Sequence, residues 1–156
     1  MPSGVRGPGL DESHRFDPSS PKPNSRVAGP PIGGWGIGTM PIKMVGKAGW
    51  IPANIDQIDL IHVHQDQVMK LPPRAVRLAQ SDFCQNAAFV IDNTVFAIQG
   101  HPEFTPAYTN ALINIREDKI GKERAATARV SLKKPHDGRQ VGGWILDFFA
   151  THDPIY

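Results

Sequence analysis

The chain has 156 residues and a mass of 17.1 kDa, with 40% hydrophobic and 21% charged residues, which is typical of one globular domain. Its net charge of +2 is too small to favour binding to nucleic acid or to an acidic membrane surface. No apolar run reaches the roughly 20 residues that cross a bilayer, and no secretory signal is recognisable at the start of the chain. A single cysteine, Cys84, excludes an internal disulfide and a cysteine-cluster metal site, and favours a reducing, cytoplasmic setting.

The amino-terminal part of the chain differs in composition from the rest. Residues 1–31 contain seven of the fifteen prolines and only six hydrophobic residues. Such a segment buries too little apolar surface to offset the entropy of ordering it. We therefore predict a disordered tail over residues 1–32 and a folded domain over residues 33–152. A linker or interaction arm is the functional alternative for the tail, and a shifted reading frame or misassigned exon is a hypothesis for its origin.

Several segments of the folded part have the length and apolar pattern of strands. Two of the segments flank a polar pair, Asp92 and Asn93, and predict a hairpin with a two-residue turn. The glycine-rich residues 33–38 lack the spacing of a phosphate-binding loop and are interpreted as a flexible connection around a packed Trp35. The predicted strands are residues 41–45, 58–64, 87–91 and 94–99.

Three helices are predicted. Pro72 and Pro73 precede a short helix over residues 74–80, because proline is tolerated in a first turn. Thr105 and Pro106 supply an N-cap hydroxyl and a first-turn proline for a second helix. The second and third helices, the latter over residues 141–150, each carry an apolar stripe that predicts packing; the stripes are Tyr108, Leu112 and Ile115, and Trp144, Ile145, Phe148 and Phe149. Strands combined with helices predict a layered α/β domain.

Two groups of histidines are candidates for chemistry. His101 and Glu103 follow a strand that ends in Gly100, and a histidine there can act as a general base that a nearby carboxylate orients. The alternative is a structural or solvated loop histidine. His62 and His64 lie two residues apart on one strand and therefore on one face. Such a pair can bind a metal ion, but no third ligand is spaced nearby, so we predict no metal site.

Three blocks of sequence, in order along the chain, carry a resemblance to a known family. They are Gly-Trp-Gly-Ile-Gly at residues 34–38, His-Gln-Asp-Gln-Val at residues 64–68 with Leu71-Pro72 after it, and Gln-Gly-His-Pro-Glu-Phe at residues 99–104. Together they resemble the class I glutamine amidotransferases, specifically the GMP-synthase-like branch.

The resemblance implies a fold and an activity. The fold is a partial flavodoxin-like α/β domain that lacks the amino-terminal half of the family's fold. The activity is hydrolysis of the side-chain amide of glutamine or a related γ-glutamyl compound, with ammonia passed to a second substrate. The resemblance assigns the catalytic base to His101 and its orientation to Glu103, and it places His64, Gln65 and Asp66 beside the substrate. No cofactor is implied.

The chain departs from the family at the nucleophile. The family carries a cysteine in a Gly-x-Cys-x-Gly elbow before the glycine-rich block, and this sequence has no such pattern. Cys84 follows the wrong block and is interpreted as a small buried side chain near the acidic Asp82, which would raise rather than lower the pKa of a thiol. We therefore expect an incomplete Cys-His-Glu triad and no activity of the chain alone. The alternative is a non-catalytic pseudoenzyme or fragment that binds a protein partner at an exposed sheet edge and an uncovered helix face.

Overall fold

The computed structural model describes residues 28–29 and 34–151. The predicted disordered tail lies outside the described residues except at Ala28–Gly29, which form a short strand. The described part contains seven strands and three helices: β1 (Ala28–Gly29), β2 (Gly36–Met44), β3 (Gln57–His64), β4 (Gln67–Val68), β5 (Ala75–Gln80), β6 (Ala88–Ile91), β7 (Val95–Ile98), α1 (Pro106–Ile120), α2 (Lys122–Ser131) and α3 (Gly138–Ala150).

Five of the strands form one antiparallel sheet in the order β3-β2-β5-β6-β7, and β1 pairs with β4 separately. The longest pairing joins β2 to β3 from Gly36 opposite His64 to Lys43 opposite Gln57. The sheet curls, so the segment after β7 returns to the free side of β3. There the His101 amide donates to the Ile61 carbonyl over 2.7 Å. This bond places the loop that carries His101 beside the end of β3.

The two faces of the sheet bury different cores. Alternate residues of β3 divide between them, as the period of a strand requires. Leu60 faces the inside of the curl, where α3 contributes Trp144. Ile61 faces α1 and α2, with Ile113 and Ala128 as neighbours. The sheet is therefore layered against helices, which confirms the predicted α/β class.

The hairpin and the start of the second helix agree with the sequence predictions. β6 and β7 pair in register from Ala88 with Ile98 to Ile91 with Val95. The turn has three residues rather than two, and Asp92 adopts a positive φ of 46° in it. At α1, the Thr105 side chain accepts a hydrogen bond from the Tyr108 amide, as expected of an N-cap.

Two local predictions were wrong. Residues 75–80 form strand β5 instead of a helix, because they pair with β6 along most of their length. Arg74 before them has a positive φ of 67°, which no α-helix accommodates. Residues 36–38 belong to β2 rather than to a flexible connection. In both segments pairing with a distant strand overrides the local preference.

The helix stripes were predicted in part. On α3, Trp144 and Phe148 are buried, but Phe149 is exposed. On α1 the buried residues are Thr109, Ile113 and Ile120, so the predicted stripe faces away from the core. Its tyrosine and isoleucine are exposed.

Candidate active site

Three histidines meet where β3 ends and the loop after β7 begins. His62 and His64 are the last inward-facing residues of β3, and His101 is held by its backbone bond to Ile61. The structure therefore brings together two of the sequence blocks, the His-Gln-Asp-Gln-Val block and the Gly-His-Pro-Glu block. Their proximity arises from the curl of the sheet.

His101 and Glu103 form the predicted pair. The Nδ1 atom of His101 lies 2.9 Å from Oε1 of Glu103. A carboxylate can only accept, so Nδ1 carries the proton and the neutral ring presents its lone pair on Nε2. The two side chains are 31% and 62% exposed, so the pair is open to a substrate. This is the geometry of a general base with an orienting carboxylate.

An aromatic stack fixes the plane of the His101 ring. The ring of Phe104 is parallel to it, with centroids 4.1 Å apart and an interplanar angle of 8°. Tyr108, at the start of α1, packs edge-on against Phe104 at 4.7 Å. The helix that Thr105 caps therefore supports the imidazole through two rings.

His62 and His64 form a hydrogen-bonded chain with defined tautomers. Nδ1 of His64 lies 3.1 Å from the carbonyl oxygen of Asp66, and Nε2 of His64 lies 3.0 Å from Nδ1 of His62. Because a carbonyl only accepts, His64 donates from Nδ1 and accepts at Nε2. His62 must then donate from Nδ1, which leaves a bare lone pair on its buried Nε2, and no described residue bonds that atom.

Burial keeps both of these histidines neutral. Desolvation, together with the smaller repulsion from the positive forms of His64 and His101, lowers the pKa of His62 to about 3. Desolvation also lowers the pKa of His64, although its bond to the Asp66 carbonyl acts in the opposite direction. The site therefore combines two uncharged imidazoles, the buried one of His62 and the half-buried one of His64, with the accessible one of His101.

Two glycines make room for these rings. A methyl group added at Gly36 would lie 2.5 Å from the Phe83 ring and 3.1 Å from Nε2 of His64. One added at Gly100 would lie 3.0 Å from Leu60 and 3.3 Å from Nε2 of His62. The glycines of the two sequence blocks are therefore needed for close approach. Sequence reasoning did not identify Phe83, although a glycine within a strand is a signal that another group approaches closely.

The remaining predicted substrate residues lie in the turn between β3 and β4. Gln65 and Asp66 are both exposed there. Gln67, which follows them, is buried, and its Nε2 has no hydrogen-bond partner among the described residues. A cavity of about 290 Å³ opens beside this turn. It is lined by Gln67, Val68, Met69, Asp82, Phe83 and Gln85.

Cys84 is buried, as predicted. It belongs to the core inside the curl, where its Sγ lies 3.9 Å from Oε1 of Gln99. Burial raises the pKa of the thiol, which opposes the thiolate form that attacks a carbonyl. Cys84 is therefore a packed residue and has none of the properties of an activated nucleophile.

Within residues 34–151, no group of three or more His, Cys, Asp or Glu side chains is arranged to hold a metal ion. No helix in this part of the chain is long and apolar enough to cross a membrane.

Comparison with known proteins identifies relatives of this architecture. The chain is 43% identical over 54 residues to γ-glutamyl peptidase 3 of Arabidopsis thaliana. The matched region makes up 35% of this chain and 20% of that protein. It is 28% identical over 117 residues to γ-glutamyl peptidase 4 of the same plant, covering 74% of the chain and 45% of that protein. The solved structure of a glutamine amidotransferase from Methylobacillus flagellatus matches 83% of this chain and 59% of its own length, with a TM-score of 0.61 and 16% identity. No family model matches the sequence.

The described residues therefore have part of the fold of a class I glutamine amidotransferase, which confirms the predicted resemblance. Among sequence relatives, the chain is a homologue of the γ-glutamyl peptidases and is 30% identical over 88 residues to a putative glutamine amidotransferase of Saccharomyces cerevisiae, which is 56% of this chain and 34% of that protein. The match spans less than half the length of each of the γ-glutamyl peptidases.

Proposed function

We propose that this chain supplies the acid–base part of a site that hydrolyses the amide of glutamine or a related γ-glutamyl compound. The hydrogen bond of 2.9 Å between His101 and Glu103 carries the proposal. It leaves Nε2 of His101 free to take the proton of a nucleophile and to return it to the leaving ammonia. The carboxylate keeps the ring in that tautomer and stabilises the charged imidazolium that forms between the two steps.

The substrate is proposed to lie beside the turn after β3. His64 is the last residue of β3, Gln65 and Asp66 lie in this turn, and the cavity lined by Gln67 and Phe83 opens next to it. Exposed polar side chains beside a partly apolar cavity suit the polar head and the methylene chain of a γ-glutamyl group. The neutral state of His64 is compatible with a hydrogen bond to an uncharged amide.

The chain alone is proposed to lack hydrolytic activity, because its only thiol is buried with a raised pKa. Activity then requires a thiol from outside these 156 residues, placed against Nε2 of His101. A non-catalytic role as a pseudoenzyme that binds a partner is the second candidate, and the inaccessible thiol favours it. The unpaired cysteine agrees with a reducing, cytoplasmic setting.

An assay of ammonia release from glutamine and from γ-glutamyl dipeptides tests the proposal. The chain alone should release none. Mixed with the part of γ-glutamyl peptidase 4 that lies outside the match, it should release ammonia. H101A should abolish that release, whereas C84A and the exposed control E123Q should preserve it. Release that survives H101A in the mixture would refute the assignment of His101 as the base, and release by the unmixed chain would refute the need for a further thiol.

A further inference from the structure

A cavity of about 490 Å³ lies between α2 and the first half of β2, and none of the three clustered histidines lines it. Helix α2 approaches β2 closely at Gly38, where an added methyl group would collide with the Ser131 hydroxyl and lie 3.0 Å from Cα of Ala128. Gly38 also has a positive φ of 95°, which favours glycine. One side of the cavity is therefore a tightly packed helix and strand.

Thr39 places an unused hydroxyl group in the wall of this cavity. The residue is 7% exposed, and its Oγ1 has no hydrogen-bond partner among the described residues. The neighbouring Ser131 hydroxyl is engaged elsewhere, because it accepts from the Thr39 amide over 3.0 Å and donates to the Ala128 carbonyl over 2.7 Å. A buried polar group without a partner lowers stability, so a bound group that completes its hydrogen bonding explains its position.

Two opposite charges line the same cavity, on Arg124 and Glu123. Nη1 of Arg124 donates to the Trp35 carbonyl over 2.6 Å, which anchors the guanidinium while its other nitrogens have no partner in the described part of the chain. Neither Arg124 nor Glu123 forms an ion pair with a described residue. A planar guanidinium matches the geometry of a carboxylate, and the Glu123 carboxylate can pair with an ammonium group. The cavity therefore offers a matched pair of charges to a zwitterion.

The remaining lining is mostly apolar. It includes the rings of Trp35 and Phe83 and the side chains of Ile37 and Met40, and the Arg116 guanidinium lies over the Trp35 ring at 5.7 Å. Apolar walls with a few converging polar groups are typical of small-molecule sites, whose volumes run from roughly 300 to 1,000 Å³. This cavity is in the lower part of that range, which suits a ligand the size of one amino acid. A phosphate ester fits less well, because its two negative charges would meet one guanidinium with a carboxylate beside it.

We propose that the cavity between β2 and α2 is a binding site for a free α-amino acid with a large apolar side chain. The α-carboxylate of the ligand accepts from Arg124 and from the Thr39 hydroxyl. Its ammonium group pairs with Glu123, and its side chain lies against the Trp35 ring. The site is separate from the catalysis proposed for His101, because none of these groups takes part in proton transfer.

Titration of the ¹⁵N-labelled full chain with L-phenylalanine, followed by NMR, tests the proposal. Saturable shifts are expected at the amides of Thr39 and Thr127, which line the cavity. L-Phenylalaninamide lacks the carboxylate and should bind about tenfold more weakly or worse. N-acetyl-L-phenylalanine lacks the ammonium group and should bind about threefold more weakly or worse. L-Glutamine should also bind more weakly than L-phenylalanine, because its side chain is polar.

Substitutions in the cavity wall should weaken the binding of L-phenylalanine selectively. R124Q should weaken it by about tenfold or more, whereas the matched control R139Q, at an exposed arginine of α3 outside the cavity, should change it by less than about twofold. T39V keeps the shape of the side chain without the hydroxyl and should weaken binding by about threefold or more. The melting temperature of T39V without ligand should be unchanged or higher, because the lost hydroxyl has no described partner, and this separates ligand binding from a structural role.

Several results would overturn the proposal. They are the absence of saturable shifts, equal affinity for L-phenylalanine and its amide or L-glutamine, equal effects of R124Q and R139Q, and unchanged affinity in T39V. Nuclear Overhauser effects between residues 1–27 and the Trp35 ring in the free chain would also overturn it, because the chain itself would then occupy the cavity. H101A should bind L-phenylalanine normally whatever the result of the ammonia assay, and loss of binding in H101A would place the ligand at the candidate active site instead.

Discussion

Acidification should destabilise the fold through His62. This side chain is 1% exposed, and its pKa is lowered from 6.5 to about 3, mainly by burial. Above pH 6.5 the imidazole is neutral in both the folded and the unfolded chain, so its stabilising contacts are fully present. Between pH 6.5 and about pH 3, the His62 imidazole is mostly protonated in the unfolded chain and mostly neutral in the folded chain. The free energy of unfolding must therefore fall as the pH falls through this window.

The size of the effect follows from the width of the window. One pKa unit corresponds to about 1.4 kcal/mol. His62 alone should therefore lower the free energy of unfolding by about 2–3 kcal/mol when the pH falls from 6.5 to 4.5. His64, whose pKa is also lowered by burial, adds to the loss in the same direction. Domains of this kind are stable by about 5–15 kcal/mol in total, so the loss is a large fraction.

Urea denaturation followed by tryptophan fluorescence at several pH values between 7.5 and 4.5 measures this free energy. H62L removes the ionisable ring at similar volume and should flatten most of the dependence on pH. H136Q removes a histidine outside the cluster and serves as the matched control, which should retain the slope of the unsubstituted chain. A flat profile in the unsubstituted chain, or an undiminished slope in H62L, would refute the burial argument.

Three further predictions concern packing, capping and thiol chemistry. G36A should lower the free energy of unfolding, measured by urea denaturation, by about 1–3 kcal/mol, because the added methyl group lies 2.5 Å from the Phe83 ring. The control G49A has open space around the added methyl group and should change this free energy by less than about 0.5 kcal/mol. Equal effects of the two variants would contradict the close packing of β2. T105A should lower the free energy of unfolding by about 1 kcal/mol in the same assay, because α1 loses its N-cap hydrogen bond. T105S keeps a hydroxyl group and should therefore retain most of this stability. A T105S variant as unstable as T105A would rule out the cap. Cys84 should react with iodoacetamide far more slowly in the folded chain than in urea, because the thiol is buried with a raised pKa; similar rates in mass spectrometry would show the thiol to be accessible.

Local chemistry predicted the features that depend on a few neighbouring residues. The threonine–proline start of α1 and the hairpin around Asp92 are of this kind, because caps and turns are determined within about four residues. The common face of His62 and His64 also follows from the period of a strand. The contact between His101 and Glu103 needs only a turn of the backbone between two residues that are two apart.

Features that depend on distant partners could not be predicted in this way. Residues 75–80 contain good helix formers such as Ala75, Leu78 and Gln80, yet they pair with β6 as a strand, since tertiary pairing outweighs propensities of less than 1 kcal/mol per residue. The meeting of His101 with the end of β3 depends on the curl of the whole sheet. No pattern in the neighbouring sequence indicates that the Phe83 ring packs against the His64 ring.

Helix α1 shows how one sequence pattern can serve two surfaces. Its apolar residues fall on two faces, so the periodic signal identifies a packing face without showing which face packs within the chain. The sequence favoured Tyr108, Leu112 and Ile115, whereas the described fold buries Thr109 and Ile113. A solvated helix face has no need of three large apolar residues at helical spacing, and exposing them carries a risk of association. Periodicity alone therefore does not rank the two faces, and the packing of Ile113 in the core between the sheet and the helices decides which of them is buried.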